Sequence, residues 1–289
     1  MQKKVHILPA VMIIIAIIAL AIRVFQLLVV VNYNEMGFFN ATAGFLPIYG
    51  LYLLLGAGAI FIWIASVIDK KISSTAFTRP TAALTSGQTA VLGVAYLLGA
   101  CLRLFELVFH FGGFNLSFIG EALMFLLFTA IGFIILSSRK LKPVVGYLHI
   151  VICISCTLSA AALFMQDTII VRISDELLLL LSYVASVLFF LAFGRFIAGN
   201  ESKLTRYKLV IFGSLTAVLS LCASLAGYIA LLIDRNYMGG HMTMHPLSET
   251  GSALVAIAAI FAMYGNIPLE EVPLEPEDDD DENSFVLRP

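Results

Sequence analysis
Arg103, Glu106 and His110 stand at i, i+3 and i+7 within one apolar run, so a helix would carry all three on one face. Tyr96, two turns earlier, extends that stripe. Arg103 and Glu106 are spaced to pair within the helix, which lowers the cost of burying both. Glu121 lies about five residues into the next apolar run. The segment 111–115 between the two runs is short, so they are expected to be antiparallel neighbours, with Glu121 at nearly the depth of Glu106. A smaller version stands near the N-terminus, where Arg23 and Gln26 repeat the spacing and Tyr49 and Tyr52 of the following run can face them.

Such groups can do two things inside an apolar bundle. They can line a polar pocket that opens outward and binds a small solute or ion, or they can clamp helices in register. An ionisable side chain near mid-bilayer costs about 2.5–3.5 kcal/mol on insertion scales, so chains keep it where it faces a bundle interior or a wet cavity. Buried polar groups in multi-pass proteins also serve only to hold helices together. Both readings stay open on the sequence alone.

The elements that must position these residues are read from composition and hydropathy. Of 289 residues, 60% are hydrophobic and only 12% charged, too little charge to cover the surface of a soluble globule. Crossing a hydrocarbon core of about 30 Å takes ~20 apolar residues in helical form. Eight runs qualify: 6–31, 43–68, 89–111, 116–137, 144–166, 173–199, 207–233 and 246–265. The first is too long for a signal-peptide core. A period-2 pattern is absent, which leaves helices as the spanning element. The expected fold is therefore all-α: a polytopic transmembrane helix bundle over residues 1–265, built as four helical hairpins.

Lys and Arg in the loops set the expected threading. Lys3, Lys4, Lys70, Lys71, Arg79, Arg139, Lys140, Lys142, Arg195, Lys203, Arg206, Lys208 and Arg288 fall on one side, against Arg172 and Arg235 on the other. That bias predicts a cell-membrane protein with both termini cytoplasmic, and it requires an even number of spans. Small residues predict helix contacts at Gly56 and Gly58, at Gly213 with Ala217, and at Ser220 with Ser224.

Arg23-Val24-Phe25-Gln26-Leu27 and Arg103-Leu104-Phe105-Glu106-Leu107 share a phrase, which suggests duplication of a hairpin over 6–68 and 89–137. The returning runs carry Glu121, Glu176 and Glu249 near their starts, with Ser174 and Ser248 as N-caps. Asp167, Arg172, Asp175 and Glu176 read as a solvated loop and helix cap. The segment 266–289 holds Pro268, Pro273, Pro276 and nine of the nineteen acidic residues. It is expected to be a disordered acidic cytoplasmic tail, solvated or docking a basic protein partner.

Catalytic and metal centres are not expected, and neither is a cofactor. The sequence has no Walker A, GxSxG, HExxH or Rossmann fingerprint, so an enzyme is not indicated. Cys101, Cys153, Cys156 and Cys222 lie in apolar runs and read as packing residues. His241 and His245, with Met242 and Met244, make an incomplete metal set in an outer loop. Asn40 and Asn115 head glycosylation sequons that lie too close to the membrane to be used. A net charge of −2 gives no indication of a nucleic-acid partner. The expected partners are the lipid bilayer and a small solute or ion.

With an Arg-x-x-[Gln/Glu] pair in the outer half of a rising helix, here Arg23 with Gln26 and Arg103 with Glu106, the chain resembles uncharacterised multi-pass integral membrane proteins of Gram-positive bacteria. That resemblance covers general layout and those two phrases, and it implies no activity. The functional expectation is a transporter or permease-like protein for a small solute. The alternative is a structural or sensory membrane subunit in which the polar cluster only clamps helices.

Overall fold
In the computed structural model, the described residues are 7–32, 38–40, 44–68, 86–109, 116–138, 141–166, 174–199, 203–234 and 247–264. His110, the 241–245 loop and the acidic tail lie outside them.

The described residues form eight α-helices, seven of them long and apolar enough to cross a membrane. These are α1 (Ile7–Phe25), α2 (Phe45–Ile68), α3 (Ser86–Phe109), α4 (Leu116–Ser138), α5 (Pro143–Gln166), α6 (Ser174–Ile197), α7 (Lys203–Ile233) and α8 (Ser248–Tyr264). The eighth, α8, has 17 residues and is shorter than the rest of the apolar set. The eight expected runs coincide with these helices to within a few residues at most ends, because a long apolar stretch is a local property that no packing partner can hide.

Local chemistry explains several ends. Pro143 opens α5, where its missing N–H is one of the orphans of a first turn. Asp175 and Glu176 fill the first turn of α6, on the side the helix dipole favours. After α6 the chain turns at Gly199, whose φ of +75° a residue with a Cβ rarely adopts. A π-helical turn, Gln26–Val30, continues α1. Val31–Asn32 then pairs antiparallel with Phe38–Phe39, so a two-stranded ribbon ends the first hairpin.

Six helices close a ring. Each of α3 to α7 packs on the next, and α8 closes the circle between α7 and α3. The first hairpin stays outside it: α1 lies against α7, and α2 packs on both α1 and α7. Wide exposed apolar surfaces remain, including Ile14, Ile17, Val29, Leu46, Val108, Phe133 and Leu232. Such a surface suits lipid rather than water.

Close crossings hold the ring. A Cβ on Gly251 would fall 2.7 Å from the Cα of Gly99, so α3 and α8 meet backbone to backbone. Gly146 and Gly194 do the same for α5 and α6, where an added Cβ would sit 2.6–2.8 Å from the facing carbonyl oxygen. Of the small residues singled out from sequence, Gly213 is tight against Ile260 and Phe189, and Ala217, Ser220 and Ser224 are buried. Gly56 has nothing within 4 Å of its Cβ position, and Gly58 meets only Ile15 at ordinary contact. The decisive glycines were not evident because spacing along one helix does not reveal which helix lies opposite.

Candidate functional site
The α3–α8 crossing at Gly99 and Gly251 sets the site. One turn beyond Gly99 along α3 stands Arg103, and Gly251 is flanked on α8 by Glu249 and Ser252. Close backbone approach therefore brings the guanidinium to both. Arg103 donates to Glu121 Oε2 at 2.5 Å, to Glu249 Oε1 at 3.3 Å and to Ser252 Oγ at 2.8 Å. Its side chain is fully buried, as is that of Glu249, while that of Glu121 is 10% exposed. The guanidinium carbon also sits 4.9 Å from the centroid of the Phe128 ring.

Hydroxyls from two further helices complete the cluster. Tyr183 of α6 donates to Glu121 Oε1 at 3.5 Å, and Ser220 of α7 donates to Glu249 Oε2 at 3.4 Å. Ser224 pairs with Thr250 at 2.7 Å just beside them. Five helices of the ring thus meet in one polar centre.

Glu106 does not pair with Arg103 as its i, i+3 spacing allowed. Its Oε2 instead accepts the backbone N–H of Ser248 at 2.7 Å, across to the first residue of α8. The three acceptors around Arg103 already take its terminal nitrogens, and α8 offers Glu106 an unpaired first-turn N–H.

The N-terminal set gathers separately, outside the ring. Arg23, buried, donates to Gln26 Oε1 at 3.2 Å and ion-pairs with Asp175 of α6. Gln26 in turn donates to the carbonyls of Pro47 and Ile48, both at 3.0 Å, which ties the π-helical turn to α2. Tyr52 lies within electrostatic reach of Arg23 and Asp175, and its hydroxyl, though buried, makes no hydrogen bond. Tyr49 is exposed, packs its ring at a tilt on Phe45 and lies within electrostatic reach of Tyr52. Asp175, expected from sequence as part of a solvated loop and helix cap, stands in the first turn of α6 and is also an ion-pair partner.

Tyr96 shares the buried face of Arg103 but serves a different partner two turns away. Its hydroxyl lies 2.6 Å from His149 Nε2. His149 Nδ1 lies 2.6 Å from the carbonyl oxygen of Val145, which can only accept, so Nδ1 carries the proton and Nε2 accepts from Tyr96. Phe128 packs edge-on to Tyr96 and beneath Arg103, which separates the two polar layers.

Sequence reasoning missed Ser252, Tyr183 and His149, and it read Glu249 and Asp175 only as N-terminal acids. Glu249 and Ser252 did carry a signal, since i, i+3 spacing puts both on one face of α8. Cys153 and Cys156 are free thiols, the first near the carbonyl of Val187 and the second near Met124.

No protein-family model matches the chain, and neither any curated protein nor any solved structure does.

Proposed function
We propose that this chain is a permease-like protein of the cell membrane that takes a small positively charged solute or ion from the outer face into the centre of its helix ring. One observation carries the reading: Glu106, Glu121 and Glu249 gather near a single cation, Arg103. Burying a carboxylate without a counter-charge costs several kcal/mol. Three carboxylates against one guanidinium therefore favour uptake of a further proton or cation, and the hydroxyls of Ser220, Ser252 and Tyr183 supply neutral ligands around it.

Under this reading all eight helices cross the bilayer, with the basic loops and both termini inside. By its rise, α8 spans about 25 Å, near the lower limit for a crossing helix. A reporter fused after Pro289 is expected to be cytoplasmic, and an external position overturns the threading.

Transport is tested in proteoliposomes. Labelled sodium, rubidium, guanidinium and protons are offered in turn, and uptake of at least one above protein-free vesicles is expected. Glu249→Gln should abolish it. Folded wild-type protein that moves none of the four overturns the reading.

A second reading, a structural or sensory subunit, is favoured by the complete burial of Arg103 between acids of α4 and α8. There the cluster clamps helices and the acidic tail docks a basic partner. Replacement of Arg103 would then lower stability in a protein that binds none of the four probes.

A further inference from the structure
Resting on the permease-like reading, we propose that Glu106 is a proton-binding site at the outer end of the ring, and that its protonation releases the first turn of α8 from α3. Glu106 is set apart from the other two acids. Arg103 gives its donors to Glu121, Glu249 and Ser252 and none to Glu106. The carboxylate accepts the Ser248 N–H at 2.7 Å. It lies half-buried, three residues before the outer end of α3 at Phe109, where protons from the outer solution can reach it.

Ser248 supplies a second mark of the site. Its hydroxyl is buried beside the same carboxyl, placed to donate to it when Glu106 is ionised. An ionised Glu106 attracts both the N–H and the O–H of Ser248, whereas a protonated carboxyl holds each more weakly. The groups facing Glu106 are Arg103 on its own helix, Glu121 from α4, Tyr183 from α6, Tyr228 from α7, and Ser248 with Glu249 beside it from α8. Two of these are acids and one is basic.

The latch follows from charge. An ionised carboxylate accepts a charge-assisted hydrogen bond and also faces the positive end of the α8 dipole. Protonation weakens both. The latched state is therefore favoured at high pH and lost as pH falls. By linkage, whatever frees α8 also tightens proton binding.

Hydrogen exchange on the full-length protein in nanodiscs tests this, read on a peptide covering residues 247–252 and corrected for intrinsic rates. Lowering the pH from about 8 to about 5 is expected to raise exchange there about tenfold, the scale set by losing the charged share of one hydrogen bond. Glu106→Gln should show the raised rate at both pH values. Ser248→Pro, which removes the donor and keeps a residue suited to a helix start, should do the same. A corrected wild-type rate that does not change with pH overturns the proposal without any variant. So does Glu106→Gln that exchanges like wild type at high pH. A pH-dependent latch without solute uptake would leave this site standing and sink the transport reading; uptake without the latch would do the reverse.

Discussion

At the scale of single residues, Arg103 and Arg23 are both buried but not equally committed. Arg103 balances two carboxylates, one of them fully buried. Replacement by Leu strands both, and breaking such a set by removing one partner costs about 3–5 kcal/mol. Thermal melts of Arg103→Leu in detergent should show that loss. Adding Glu249→Gln should recover part of it, since coupled neighbours are not additive. Arg23→Leu should cost less, because Asp175 keeps 26% of its side chain exposed and can turn to solvent. The Tyr96–His149 bond should show a coupling of about 1 kcal/mol in a double-mutant cycle of Tyr96→Phe and His149→Phe, the range of hydrogen bonds between membrane helices.

At the scale of elements, the α3–α8 crossing decides whether the site exists. Gly251→Ala puts a methyl group against the backbone of Gly99, where no side chain can move aside. A cost of about 1–3 kcal/mol is expected, with Glu249 drawn away from Arg103. Gly56→Ala, with open space at its Cβ, should be neutral or should stabilise by up to about 1 kcal/mol through helix propensity. Melting temperatures of the two variants, measured side by side, separate crossing from mere composition. The same logic explains the serines of α7. Ser214, Ser220 and Ser224 are buried there with Ala217, Ala223 and Ala226 because small side chains let α6, α8 and α1 approach one helix.

At the scale of the whole molecule, the ring of α3 to α8 closes without the first hairpin. Arg23 with Asp175 is a polar tie between hairpin and ring. Removal of residues 1–69 takes away an even number of expected spans and leaves the rest of the threading unchanged. The shortened chain should still give a monodisperse peak in detergent, with a smaller loss of melting temperature than Arg103→Leu. Aggregation of the shortened chain would show that α1 and α2 are integral to the ring.

The sequence by itself determined where the helices run and that they suit lipid, and it suggested that Glu106 and Glu121 lie at nearly one depth on neighbouring helices. Those features depend on composition, run length and one short loop, all local. It could suggest a shared phrase around Arg23 and Arg103, and in both places the polar residue three on binds backbone near the start of another helix. Only the tertiary structure decided which acid answers which arginine. Glu249 is 146 residues from Arg103, and Asp175 is 152 from Arg23. It also decided that Tyr96 belongs to His149 and that α8 closes on α3. Helices that are apolar on every face carry no period pointing to a neighbour. The choice falls to close crossings such as Gly99 with Gly251, and these become visible only when two distant segments meet.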